Sequence, residues 1–299
     1  MLKAKRMSIG FIRRPWLITP PKKKCLVMLL ISILAAIVSA EAGSRDFLIS
    51  AIHFEKELKS GSMSVLDLAP LAAKYGAQGV EYRDVYWKDK VRELPAVGIQ
   101  LARMKLKATY TTVTTLYNRD QAKQKQLLQD IEDAKSLGSP LLRVQLGVRP
   151  GSGPEDAAVH RAAKEAVDYA KSLGIKLALE NNSRPPGEKL SDIKATLEEF
   201  NSPALGTNID FANYAVNDQD PIEAIKSLTP WIIYVHAKDA KKTEKGWTTT
   251  YLGGGTLPLK EILSALDATG RTFLFCFESP GEGDPEGGIV KSKAYMATH

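Results

Sequence analysis

"EDAAVHRAAKEAVDYAKSLG" spans residues 155–174, and "KLALENNS" spans residues 176–183. The first stretch is amphipathic and ends in Gly174, as a helix C-terminus should. The second alternates like a strand and stops at Glu180, Asn181 and Asn182. A carboxylate at the end of a core strand is costly unless something pairs with it. A helix, a glycine and a short apolar strand make one repeat unit, and the fold follows from how often that unit recurs.

Seven further apolar runs accompany "KLALEN" (176–181). They are "FLISAI" (47–52), "GVEYRD" (79–84), "IQLARMKLKA" (99–108), "LLRVQLG" (141–147), "ALGTNID" (204–210), "WIIYVHAKD" (231–239) and "TFLFCFES" (272–279). Helix-like stretches lie between them, several closed by glycine at Gly76, Gly138 and Gly270. A repeating strand–helix pattern predicts a parallel sheet with helices outside it. Eight repeats in roughly 250 residues is the size of an α/β (β/α)8 TIM barrel. A doubly wound open sheet is the alternative, but no Gly-x-Gly-x-x-Gly follows the first strand. The second helix, near "WKDKVRELPAVG", is the weakest, and the third strand has blurred edges.

The chain has 299 residues and a net charge of +7, with 44% hydrophobic residues. Residues 1–40 hold eight basic residues and no acid, so the rest carries a net −1. This argues against a nucleic-acid partner. Lysines and arginines followed by "CLVMLLISILAAIVSA" (25–40) make a signal-like pattern. We expect residues 1–42 to be a signal peptide or membrane anchor and 43–299 to be the barrel. The expected location is exported, periplasmic or cell envelope, or cytoplasmic if the start codon is misassigned. Membrane contact is expected only through this segment. Of two cysteines, Cys25 lies in the leader, which leaves Cys276 alone and without a disulfide partner in the body.

In such a barrel, chemistry lies at the C-terminal ends of the strands. Strand five ends in Glu180, six in Asp210, seven near His236 and eight in Glu278. Side chains alternate faces with period two. The three phenylalanines at 273, 275 and 277 then face the helices, and Cys276 and Glu278 face inward. Ala178 and Glu180 share an inner face, as do Gly206, Asn208 and Asp210. Ile232, Tyr234, His236 and Lys238 form the fourth set, with Ile233 and Val235 outward. Three carboxylates and an imidazole around one axis repel unless a cation lies among them. One divalent metal ion (Mn, Mg, Co or Zn) suits this donor set.

"LALENN", "GTNIDFAN", "YVHAKDA" and "FLFCFES", in this order, resemble the xylose isomerase-like TIM barrels, and within them the sugar phosphate isomerase/epimerase group. "GVEYRD" and "LGGGTLPLKEIL" match as well, so the resemblance covers about residues 47–297. It implies that Glu180, Asp210, His236 and Glu278 bind one metal and that Glu180 and Glu278 are a catalytic proton-transfer pair. The implied activity is that of a sugar isomerase or epimerase working through a metal-bound enediolate. The alternatives are a dehydratase or lyase on a keto sugar or cyclic polyol, and an exported carbohydrate-binding barrel without catalysis. The expected partner is a small carbohydrate. Asn213 stands where several relatives have His, and only four histidines occur, too few for the three-zinc site of the related apurinic endonucleases.

Weaker candidates surround this set. Lys238 either donates to a substrate oxygen or pairs with Asp239. Glu81 either contacts substrate or starts a helix. His53 is a candidate for lining the pocket. Arg143 and Lys107 either bind a substrate anion or pair with inner acids. Trp247 either stacks on a sugar or packs in its loop. Gly253-Gly254-Gly255 either form an anion nest or make the turn into the next helix.

Overall fold

The computed structural model describes residues 45–244, 246–279 and 283–299. The expected leader, residues 1–42, lies outside the described residues. Eight parallel strands close into a barrel: β1 (Phe47–Ser50), β2 (Gly79–Arg83), β3 (Lys107–Tyr117), β4 (Leu141–Gly147), β5 (Lys176–Glu180), β6 (Leu205–Asp210), β7 (Ile232–Ala237) and β10 (Phe275–Phe277). An antiparallel hairpin, β8 (Asp239–Thr243) and β9 (Gly246–Thr250), separates the last two. The expected (β/α)8 barrel is therefore the observed fold.

The helices are α1 (Glu55–Ser60), α2 (Leu68–Tyr75), α3 (Lys90–Met104), α4 (Gln121–Leu137), α5 (Pro154–Leu173) and α6 (Leu190–Phe200). They continue with α7 (Phe211–Val216), α8 (Pro221–Leu228), α9 (Leu259–Asp267) and α10 (Pro285–Thr298). Gly174 takes φ of 72° and caps α5, its N–H donating back to the carbonyls of Ala170 and Lys171. A side chain there would be strained, which is why glycine ends this helix. Val159, Ala163, Ala166, Val167 and Ala170 recur at helical spacing and are the buried face of α5. Among the described residues no helix is long and apolar enough to cross a membrane.

Two expectations need correction. The third strand is β3 at Lys107–Tyr117, not residues 99–108, and α3 runs through Met104. Leu94, Val97 and Leu101 are spaced three and four apart and are the buried face of α3. The strand itself reads "KATYTTVTTLY", where threonines, good strand formers without an apolar signature, replace the usual valines. The inner face of β7 also differs. Ile232 packs into the outer core, and Ile233 packs against the inner cluster of Leu48, Leu141, Ala178, Tyr234 and Cys276. The pairing of β6 with β7 slips between Thr207–Ile232 and Asn208–Tyr234. One extra residue in β7 reverses the alternation below Tyr234 and leaves it intact above.

That inner cluster fills the floor of the barrel. A hydrogen bond of 2.9 Å between Thr109 Oγ1 and the hydroxyl of Tyr234, a member of that cluster, ties β3 to β7. The floor thus separates the far end from the mouth, where the strand ends converge.

Candidate metal centre

β5, β6, β7 and β10 are consecutive around the barrel, and each delivers one donor to the mouth. The register pairs Asp210 with His236, and His236 with Cys276, and Glu278 follows the end of β10, two residues beyond Cys276. Glu180, Asp210, His236 and Glu278 are all buried. One ligand atom from each lies within 4.8 Å of the other three.

Surrounding groups hold these donors in place. Asp210 caps α7, accepting the Asn213 N–H at 2.9 Å on Oδ1. Asn181 donates to the Asp210 carbonyl at 2.8 Å and accepts the Asp210 N–H at 3.1 Å. Asn208 donates to Glu180 Oε1 at 3.1 Å. His236 Nδ1 lies 2.7 Å from Glu180 Oε1 and 3.6 Å from Glu278 Oε2. Its other nitrogen, Nε2, lies 2.7 Å from Glu81 Oε2.

This last contact decides whether a metal fits. A buried carboxylate at Nε2 holds a proton there, so Nδ1 is the nitrogen that faces Glu180 and Glu278 and that can offer a lone pair once a cation takes the place of its own proton. Carboxylate-fixed imidazoles of this kind are the usual support of metal-ligating histidine. Three carboxylate oxygens and one imidazole nitrogen suit a divalent cation. The residues present fit the expected ion.

The other predicted residues divide. Glu81 is fully buried beneath the donors, one oxygen on His236 and the other accepting from Ser50 Oγ at 2.8 Å. It faces the imidazole, not the mouth. Arg143 is buried as well; Nη1 donates to the Thr112 carbonyl at 3.1 Å and lies 3.3 Å from Glu180 Oε2. It pairs with an inner acid. Lys107 sits at the opposite, exposed end of the barrel with Asp46, so it is outside the site. His53 follows β1; its Nε2 is 2.9 Å from the Phe277 carbonyl, and Nδ1 has no hydrogen-bond partner among the described residues.

Lys238 pairs with neither a free mouth nor Asp239. Its Nζ lies 2.6 Å from Asp210 Oδ2 and 2.6 Å from Glu278 Oε2. Asp239 instead accepts the N–H groups of Gly255 at 2.8 Å and Leu257 at 3.2 Å. The glycine turn is therefore a nest for this chain's own carboxylate. Trp247 lies on β9, half-buried, with Lys242 Nζ 5.7 Å from its ring centre.

Arg83 was not foreseen. Its Nη1 lies 3.5 Å from Glu278 Oε1. Period-two spacing from Glu81 along β2 is the signal that points to it. Arg83, Arg143 and Lys238 correct the idea that the inner carboxylates repel without an added ion, since the chain supplies three cations of its own. The metal assignment rests on donor geometry instead.

The electrostatics follow. Burial disfavours charge on His236, but Glu81, Glu278 and Glu180 outweigh it and push its pKa up to about 10. Burial likewise opposes charge on Lys238, and Asp210 and Glu278 hold it well above its ordinary value. Burial pushes Asp210 up to about 6, against the pull of Lys238. For Glu278 burial is outweighed by Lys238, His236 and Arg83, and its carboxyl stays well below the usual range. Burial alone brings His53 down to about 4, against the Phe277 carbonyl and the nearby acids.

Comparison with solved structures returns the same barrel at low identity. D-allulose 3-epimerase from Methylomonas sp., in complex with D-allulose, is 18% identical with a TM-score of 0.67, over 86% of this chain and 97% of that one. The probable 3-DHS dehydratase AsbF of Bacillus anthracis is 17% identical with a TM-score of 0.66, over 85% and 97%. The IolI protein with a binding zinc atom is 19% identical with a TM-score of 0.68, over 85% and 97%. No curated protein matches the chain. The family model described as xylose isomerase-like TIM barrel matches residues 69–299, most of the chain, which accordingly belongs to the xylose isomerase-like TIM barrel family.

Proposed function

We propose that this chain is a divalent-metal-dependent sugar isomerase or epimerase. The observation that carries the reading is the set of four donors within 4.8 Å, with His236 Nε2 held by Glu81 at 2.7 Å. Glu180, Asp210, His236 and Glu278 would hold the ion, which would supply Lewis-acid polarisation of a substrate carbonyl. Glu180 and Glu278 exchange the proton on the adjacent carbon, one taking it and the other returning it. Arg143 and Arg83 keep these two carboxylates ionised and oriented, and the cations around them favour the negative charge that develops on the enediolate. Return to the same carbon from the opposite face gives an epimer, and return to the neighbouring carbon gives an isomer.

The substrate we favour is an unphosphorylated sugar. Gly255 and Leu257, the turn that suggested an anion nest, already serve Asp239. The signal-like leader supports an exported enzyme for the same substrate class. A dehydratase on a keto sugar or cyclic polyol is the second reading, favoured by the likeness to the probable 3-DHS dehydratase.

The test is proton exchange followed by NMR. The purified protein, with Mn or Mg, is offered ketoses, aldoses and 3-keto sugars in deuterated water. Deuterium next to a carbonyl supports the reading, and the product separates epimerase, isomerase and dehydratase. Bound metal with no exchange on any sugar tells against it and favours a binding barrel. A well-folded protein that takes up no divalent metal overturns the ligand assignment.

A further inference from the structure

Lys238 holds two members of the donor set at once. Its ammonium lies 2.6 Å from Asp210 Oδ2 and 2.6 Å from Glu278 Oε2. The second oxygens of those carboxylates are engaged elsewhere. Asp210 Oδ1 accepts the Asn213 N–H, and Glu278 Oε1 faces Arg83. Lys238 thus occupies Asp210 Oδ2 and Glu278 Oε2, and Glu278 Oε2 is the oxygen that lies 3.6 Å from His236 Nδ1. Lys238 itself is buried, so water screens this contact little.

We propose that Lys238 is an internal counter-cation that a divalent metal displaces, so that metal loading frees its ammonium to face the substrate. This rests on the metal reading above. Two cations cannot share the same pair of carboxylate oxygens in a buried site without strong repulsion. Without either cation, Asp210 loses its ion pair and Glu278 keeps only the longer contacts to Arg83 at 3.5 Å and His236 at 3.6 Å, which is costly in the interior. The lysine thus keeps the barrel stable before loading and sets a threshold that a cation must exceed to enter. His236, Arg143 and Glu81 are buried around the same carboxylates. Once released, the ammonium turns to the mouth, where it can donate to a substrate oxygen. Asp239 does not recapture it, because Asp239 belongs to the glycine turn.

The test uses the metal alone. Mn2+ is titrated calorimetrically into the wild-type protein and Lys238→Met, both first stripped with chelator. In parallel, wild-type lysines are acetylated with and without Mn2+ and located by mass spectrometry. The expected result is Mn2+ binding at least about tenfold tighter in Lys238→Met, with Lys238 acetylation rising several-fold on adding Mn2+. The acetylation arm needs no variant to fold. Equal or weaker affinity in the variant, or Lys238 acetylation unchanged by bound Mn2+, overturns displacement and leaves the metal reading standing. If neither protein binds Mn2+, Mg2+, Co2+ or Zn2+, the metal reading fails and the proposal fails with it.

Discussion

Glu81 Oε2 lies 2.7 Å from His236 Nε2, so a carboxylate on the second strand fixes an imidazole on the seventh, across the barrel interior. Such supporting contacts matter nearly as much as the ligands they orient. Glu81→Gln keeps the volume but loses the charge that holds the proton on Nε2 and orients the ring. It is expected to weaken Mn2+ binding about 10–100-fold, measured by titration against a competing chelator. Unchanged affinity would show that His236 does not ligate through Nδ1.

Glu180→Gln and Glu278→Gln remove the two groups assigned to proton transfer. Each is expected to reduce deuterium exchange at least about 100-fold, read by NMR at saturating metal. A variant that loses one exchange position and keeps another would show that the two glutamates serve different carbons.

His53 supplies a prediction for pH. Burial lowers its pKa from 6.5 to about 4, so the folded protein holds a neutral ring where the unfolded chain would already be protonated. The stability tied to this neutral form is complete above about pH 6.5 and is lost as pH falls through about 4. The loss is about 3 kcal/mol. Urea unfolding at pH 7 and pH 4 should show a smaller drop for His53→Gln than for wild type. Equal drops would mean that His53 is not buried neutral.

Gly147 ends β4 with φ of 77°, and a Cβ there would meet the Tyr117 carbonyl oxygen at 2.3 Å. Both the conformation and the backbone contact forbid a side chain. Gly147→Ala is expected to lose more than about 2 kcal/mol in urea unfolding. A near-neutral effect would mean that the ends of β3 and β4 yield easily.

Much of this was legible in the sequence because the ends of β5, β6 and β10 are abrupt. Leu179 precedes Glu180, Ile209 precedes Asp210 and Phe277 precedes Glu278, so the apolar run and the parity agree. β3 was misplaced because Thr111, Thr112, Thr114 and Thr115 give no apolar run, while the preceding helix does. Arg83 lies in "GVEYRD", where period-two spacing from Glu81 is its one signal. Lys238 was considered with its sequence neighbour Asp239, although adjacent residues on a strand point to opposite faces. Its partners, Asp210 and Glu278, come together only when the barrel closes.

The slip in β7 has a further consequence. A strand has a phase, and the irregular pairing at Ile232 and Ile233 works as a half-period shift between floor and mouth. Below it, the alternation seats Ile233 in the apolar floor. Above it, the alternation presents Tyr234, His236 and Lys238 inward. The floor and the chemistry are thus decoupled, and each is free to vary without rotating the other. Deleting Ile233 would restore a regular ladder and leave His236 opposite Asp210, so the imidazole and the ammonium would stay inward while the floor lost a side chain.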